Sequence, residues 1–205
     1  MRLVFVHGWG FDAALWDGIA GALSAYPHCR VDLGFLGGAV IAATLSPDDV
    51  LIGHSLGVLW GLSQYRNWRQ VIAINGFAHF AGLAEEGACV RPAALRAMRL
   101  GLVRDAEATL VKFYRSVDHT GPINHFDTQR LAEGLALLES LYITKPLDAP
   151  CLILAARHDP LVPVDASEHL AAVTGSSVTW SEEGGHLLPL THAPWCAEAI
   201  RAFLV

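Results

Sequence analysis

The stretch Gly53-His54-Ser55-Leu56-Gly57 is the part of this 205-residue chain most able to do chemistry. It follows the apolar run Val50 to Ile52 and precedes Leu56 to Tyr65, which can form a helix. A sharp strand-to-helix turn would hold Ser55 in a strained backbone conformation, with small residues at 53 and 57 letting strand and helix approach closely. The free Leu56 amide at the start of the helix would then point to where negative charge develops on a tetrahedral intermediate.

A serine hydroxyl is a weak nucleophile at neutral pH and needs a base, which in turn needs an orienting acid. Both follow in the chain. The run Cys151 to Leu154 leads through Ala155-Ala156-Arg157-His158 to Asp159, and Val178 to Trp180 leads through Ser181-Glu182-Glu183-Gly184-Gly185 to His186. Each lies just past a strand's C-terminal end, where α/β active sites gather. The expected catalytic set is Ser55, Asp159 and His186. Asp159 before Pro160 also suits a plain turn, and His186 after two glycines also suits a plain loop. His54 and His158 read as structural neighbours of the site. The loop after the first strand, His7-Gly8-Trp9-Gly10, would offer the Trp9 amide as second oxyanion donor beside Leu56, with the Trp9 indole walling the pocket or filling the core. His7, His119, His125 and His192 form no cluster with metal-ligand spacing, so no metal is expected.

These side chains need a scaffold, and the sequence alternates accordingly. Short Val-, Ile- and Leu-rich runs at Leu3 to Val6, Cys29 to Leu33, Val50 to Ile52, Val71 to Ile74, Cys151 to Leu154 and Ser177 to Trp180 read as strands, most of them buried on both faces. Helix-compatible segments lie between them, including Ala14 to Ala25, Leu56 to Tyr65 and Ala166 to Val173, and Trp195 to Leu204 closes the chain after Pro194. The alternation predicts an α/β fold with a mainly parallel sheet of about six strands and right-handed crossovers. Gly34 to Asp49 has room for about one short helix, so the second crossover must be compact. Residues 76–141 hold no strand-like run. Pro92 to Leu102, Ala106 to Arg115 and Thr128 to Leu141 show helical spacing there, which predicts a helical cap inserted into a core made of residues 1–75 and 142–205.

Hydrophobic residues make up 53% of the chain and charged residues 17%, which excludes a disordered chain. A net charge of -6 argues against a nucleic-acid partner. The four cysteines contain no CxxC pair and fit a reducing compartment. No apolar stretch reaches the roughly 20 residues needed to span a bilayer, and the N-terminal run is too short for a signal-peptide core. A cytoplasmic monomer with no membrane partner is the expectation.

With these motifs in place the chain resembles the α/β-hydrolase superfamily: HGWG after the first strand, GHSLG at the turn, HDPLVP after a late strand and GGH near the end. His7 to Phe11 followed by Leu15-Trp16, the helical insertion, and Leu147 leading into the acid strand resemble more narrowly the pimeloyl-acyl-carrier-protein methyl ester esterases of biotin synthesis. The resemblance implies Ser55 as nucleophile, His186 as base, Asp159 as its acid, and Trp9 and Leu56 as oxyanion donors. It also implies substrate contacts at Trp9, Phe77 and Phe113, with Phe113 on the cap facing an acyl chain, and no organic cofactor. The chain departs from the family in three places. The usual first two strands are missing, Gly34-Phe35-Leu36-Gly37-Gly38 lacks a common proline, and His54 stands where the closest esterases often have Trp. The HxxxxD pattern of acyltransferases is absent.

From Arg91 to Arg115 stand six basic residues, Arg91, Arg96, Arg99, Arg104, Lys112 and Arg115, and two acids, Asp105 and Glu107, for a net +4 within a protein of -6. Such a patch suits an acidic acyl carrier protein or an ordinary solvated helix face. The resemblance implies hydrolysis of the methyl ester of pimeloyl-acyl-carrier protein. The alternatives are a general small-ester or thioester hydrolase, or a non-catalytic ligand-binding scaffold.

Overall fold

In the computed structural model, residues 1–83 and 87–204 are described. The strands β1 (Arg2–Val6), β2 (His28–Val31), β3 (Asp49–His54), β4 (Gln70–Ile74), β5 (Cys151–Ala156) and β6 (Val178–Ser181) form one sheet in the order β2-β1-β3-β4-β5-β6. Every neighbouring pair is parallel. The six apolar runs are these strands, and β3 is buried along its whole length, as expected of a central strand covered on both sides.

The strand order fixes where a site can form. From β1 the chain steps outward to β2, then crosses back over β1 to β3, and from β3 onward every step runs in the opposite direction. The direction of winding therefore reverses between β1 and β3. Loops leaving the C-terminal ends of strands on either side of such a point diverge and leave a crevice. The HGWG loop leaves β1 and the GHSLG turn leaves β3, so the two glycine-rich motifs flank this crevice.

The helices are α1 (Asp17–Ala22), α2 (Leu56–Gln64), α3 (Pro92–Arg104), α4 (Ala106–Ser116), α5 (Thr128–Ser140), α6 (Val164–Thr174), α7 (Leu188–Thr191) and α8 (Ala193–Phe203). The helix expected over Ala14 to Ala25 is shorter and broken: a 3-10 turn, Ala13–Trp16, leads into α1, which ends at Ala22. The Asp12 carboxylate caps the turn by accepting from the Ala14 amide at 2.9 Å. No helix forms between Gly34 and Asp49. Gly34 and Gly37 adopt φ of 77° and 76°, and an antiparallel bridge between Asp32 and Ile41 folds the segment back on itself. Left-handed glycines stop a helix from propagating, so the second crossover is a loop.

Between β4 and β5 lie α3, α4 and α5, matching the three helical segments read from the sequence, and residues 84–86 of this stretch lie outside the described residues. Asp105 ends α3 and caps α4, and Asp127 caps α5, each through a side-chain oxygen on a backbone amide, at 2.9 and 3.0 Å. Leu131, Leu135 and Leu138 form the buried stripe of α5, and Leu110 and Tyr114 that of α4. Among the described residues no helix is long and apolar enough to cross a membrane, and the four cysteines are free.

A Cβ at position 57 would lie 2.1 Å from the Val6 carbonyl oxygen, and one at 53 would lie 2.7 Å from the Val58 amide nitrogen. Gly57→Ala is therefore expected to force β1 and α2 apart and lower the urea midpoint by an amount equivalent to about 3 kcal/mol or more. Gly21→Ala, on α1 with nothing within 4 Å of the added carbon, should leave it unchanged or raise it by about 0.5–1 kcal/mol. Urea denaturation of the pair checks both.

Candidate active site

Ser55 caps α2 with φ 53° and ψ -122°, in the left-handed region that a residue with a Cβ seldom occupies. The turn is locked from both sides. The Ser55 amide donates to the Ile74 carbonyl at 3.1 Å, and the Ser55 carbonyl accepts from the Val58 amide at 3.1 Å. With its side chain directed by this backbone, Ser55 stands at the N-terminus of α2, where the free amides of the first turn and the helix dipole favour negative charge.

The loop after β1 lies directly against this turn: a Cβ on Gly8 would fall 3.1 Å from the Ser55 Cβ and 2.8 Å from His54 Nδ1. His7 is wholly buried and sets the conformation of that loop. Its Nε2 accepts from the Leu33 amide at 2.9 Å, so the ring proton sits on Nδ1, which donates to the Gly8 carbonyl at 2.9 Å. Because a trans peptide points its C=O and N–H in opposite directions, holding the Gly8 carbonyl toward His7 directs the Trp9 amide the other way. The Asp32 carboxylate, 3.5 Å from the same Nε2, faces an acceptor lone pair; its own partners are the amides of Ala13 and Gly34, at 3.1 and 2.8 Å.

Across the sheet edge, His186 Nδ1 donates to Asp159 Oδ2 at 2.8 Å, with both side chains about 1% exposed. The carboxylate cannot donate, so this bond places a proton on Nδ1, and the neutral ring then carries its lone pair on Nε2. Asp159 is itself fixed: its Oδ1 accepts from the Leu161 and Val162 amides at 2.8 and 2.9 Å. The His186 ring centroid lies 4.8 Å from that of His54, the residue before Ser55. His54 Nε2 donates to the His186 carbonyl at 2.8 Å. Burial, with His186 and His7 nearby, holds His54 well below the ordinary imidazole value of 6.5. It is neutral, with its one N–H committed to a carbonyl.

Ser55 opens into a cavity of about 30 Å³ lined by Trp9, Phe80, Met98, Phe113, Leu138 and Leu161. Trp9 serves as both wall and core: it is 3% exposed, and its Nε1 donates to the Leu131 carbonyl on α5 at 2.8 Å. Tyr114 on α4 donates to the Gly10 carbonyl at 2.7 Å, so both helices are tied to the loop after β1. Phe113 lines the cavity and stands edge-on to Trp9 with ring centroids 4.8 Å apart. Phe77 does not reach it. That ring is wholly buried, 5.2 Å from Phe80, and Phe80 forms the wall expected of Phe77. Phe80, Met98, Phe113 and Leu161 also line a second, largely apolar cleft of about 480 Å³ between α3 and α4, with Lys112 at its edge. These four side chains partition the small chamber at Ser55 from the larger cleft.

All six basic residues of the 91–115 segment are exposed. Among the described residues, Arg99 alone of the six has a carboxylate partner, Glu139 on α5. No group of three or more His, Cys, Asp or Glu among the described residues could hold a metal ion. Sequence reasoning passed over Asn75, whose amide bridges the segments carrying Asp159 and His186, and Phe80 and Met98 in the cavity wall. A lone Asn after an apolar strand reads as a turn residue, and nothing local signals partners so distant in the chain.

No family model matches this sequence. The pimeloyl-[acyl-carrier protein] methyl ester esterase of Aeromonas hydrophila subsp. hydrophila is 30% identical over 199 residues, covering 78% of this chain and 78% of that protein. RutD of Pseudomonas syringae pv. syringae is 35% identical over 92 residues, 42% of this chain and 36% of its own length. Among solved structures, a hydrolase from Oleispira antarctica superposes with a TM-score of 0.83 at 14% identity, over 98% of this chain and 90% of that one. An esterase from Exiguobacterium antarcticum superposes with a TM-score of 0.81 at 15% identity, over 99% and 91%. The six-stranded parallel sheet, its winding and the Aeromonas relative place the chain in the α/β-hydrolase superfamily: it belongs to the family of ester hydrolases that includes the pimeloyl-[acyl-carrier protein] methyl ester esterases.

Proposed function

We propose that the protein is a serine esterase in which Ser55 attacks an ester carbonyl, His186 takes the serine proton on Nε2, and Asp159 holds the resulting imidazolium in place. The observation that carries this reading is the buried 2.8 Å bond from His186 Nδ1 to Asp159 Oδ2, with the His186 carbonyl bonded to His54, the residue before a serine held in a left-handed turn at a helix N-terminus. The Leu56 and Trp9 amides would stabilise the oxyanion, a contribution worth about 100-fold or more in turnover per donor. Collapse of the tetrahedral intermediate expels the alkoxide, which His186 protonates, and water then hydrolyses the acyl-enzyme by the same route in reverse. His54 is the poorer base because burial holds its pKa well below the ordinary imidazole value, and its Nε2–H faces the His186 carbonyl, so no carboxylate stabilises its protonated ring.

For the substrate we favour the methyl ester of a pimeloyl chain carried on acyl carrier protein, which would give the enzyme a role in biotin synthesis. Support comes from the Aeromonas relative, from the largely apolar cleft of about 480 Å³ beyond Phe113, and from the exposed basic residues Arg91, Arg96, Arg104, Lys112 and Arg115. An acidic carrier would be drawn to that surface at long range. The 30 Å³ chamber at Ser55 favours a second reading, a general hydrolase of small esters or thioesters, because such a volume holds little more than one or two water-sized groups. A long acyl chain would require Met98 and Phe113 to swing aside. The domain division follows from this reading, with residues 1–75 and 142–205 as the catalytic core and 76–141 as the cap that selects the acyl group; we also favour a monomer working in the cytoplasm.

Intact-mass analysis after fluorophosphonate treatment should show one adduct on the wild type and none on Ser55→Ala, and Asp159→Asn should lower kcat by about 10⁴-fold. An adduct that survives Ser55→Ala would contradict the mechanism. Hydrolysis of pimeloyl-carrier methyl ester by the double variant Arg96→Glu/Arg104→Glu should show KM raised about tenfold at low salt, and kcat on a short aryl ester should stay unchanged. An equal loss on both esters would remove the carrier from the account. Acid should destabilise the fold through His54. The unfolded residue takes up a proton near pH 6.5 and the buried one only at lower pH, so stability falls as pH drops below about 6.5. The urea midpoint, followed between about pH 7.5 and 5, should fall less steeply in His54→Gln than in the wild type.

A further inference from the structure

Residues 74 and 75, at the C-terminal end of β4, hydrogen-bond to all three chain segments that carry Ser55, Asp159 and His186. The Ile74 carbonyl accepts from the Ser55 amide at 3.1 Å, and the Asn75 amide donates to the Leu154 carbonyl at 2.8 Å. The Asn75 side chain, wholly buried, continues outward. Its Oδ1 accepts from the Ala156 amide at 2.9 Å, three residues before Asp159. Its Nδ2 donates to the Gly185 carbonyl at 2.9 Å and to the His186 carbonyl at 2.8 Å.

Only one amide orientation satisfies these partners. Turned over, the NH₂ group would face the Ala156 N–H and the oxygen would face two carbonyls. The β4–β5 ladder ends at the pair Ile74 and Leu154, and Asn75 carries the connection one step past it. There its φ of 45° turns the chain aside, a conformation Asn tolerates better than most residues. His186 lies beyond the end of β6 at Ser181, so no strand ladder fixes its main chain. Its carbonyl is held by the Asn75 amide and by His54 Nε2, the residue adjoining Ser55.

Building on the esterase reading, we infer that Asn75 is a positioning residue that sets the His186 main chain relative to Ser55 and Asp159. Asn75 does not line the chamber at Ser55. Its amide ties the acid strand to the base loop so that the imidazole meets the serine in one geometry. A buried amide whose oxygen and nitrogen are both bonded rigidifies the segments it joins, and a base displaced by about 1 Å loses on the order of 100-fold in rate.

The test compares wild type, Asn75→Gly and Asn75→Asp on a short aryl ester, with thermal melts on the same samples. Glycine keeps the left-handed backbone and deletes the amide. Aspartate keeps the size and the acceptor for Ala156 but turns an oxygen on the two loop carbonyls. In both, kcat is expected to fall about 10- to 100-fold with KM changed less than about threefold, at a temperature where the melts show folded protein. A purely structural role would lower the melting temperature and leave kcat of the folded variant at the wild-type value, which would overturn the inference. If neither variant folds, the wild type decides. The Asn75 side-chain ¹H–¹⁵N signals should move when Ser55 is phosphonylated and His186 adjusts, and unmoved signals would overturn the inference. A wild type with no Ser55-dependent turnover would overturn the esterase reading and this inference with it, whereas an active wild type matched by Asn75→Gly would overturn this inference alone.

Discussion

The contact between the Val6 carbonyl and the bare Cα of Gly57 is the constraint on which the rest of the site depends. With no side chain at 57, α2 begins against the end of β1, and with none at 53 the strand can turn into the helix within a single residue. That residue is Ser55, and its left-handed backbone is the consequence. The strain, of order 1–3 kcal/mol, is sustained because the surrounding sheet over-determines the turn. β1 and β3 pair in register, and the Ile74 carbonyl takes the Ser55 amide from the other side. The same closeness brings the loop after β1 beside the serine, so in the esterase reading nucleophile and oxyanion donors arise from one packing arrangement.

Around that turn the fold builds a layered set of buried hydrogen bonds in which each histidine has a single assigned tautomer. His7 donates from Nδ1 and holds the Gly8 carbonyl, His186 donates from Nδ1 to Asp159, and His54 donates from Nε2 to the His186 carbonyl. Of the three, His186 has its N–H held by a carboxylate, so in the esterase reading it serves the proton transfer and the other two imidazoles serve the geometry. The helices between β4 and β5 add to the wall of the chamber at the serine. They are tied to the β1 loop through Trp9 and Tyr114, and they supply Met98 and Phe113 to the wall that limits the chamber at the serine.

Much of this was legible in the sequence because the informative features are local. Central parallel strands read as unbroken apolar runs, and all six were visible; the GHSLG turn carries its steric requirement in its own two glycines. Asp159 and His186 could be placed at strand ends by counting from the runs before them. Features that depend on distant partners were not legible. Asn75 bonds to residues 81, 110 and 111 positions away, and no spacing rule connects them. Phe77 and Phe80 follow the same strand, and which ring faces the cavity depends on how the chain turns after Asn75. The segment after β2 had room for a helix, but left-handed glycines made it a loop.

The most direct test of the central claim is a crystal structure of the phosphonylated enzyme. The account predicts phosphorus bonded to Ser55 Oγ, with the phosphoryl oxygen within hydrogen-bond distance of both the Leu56 and Trp9 amides and His186 Nε2 facing the ester oxygens. A phosphoryl oxygen directed away from those two amides, or phosphorus on any residue other than Ser55, would contradict it.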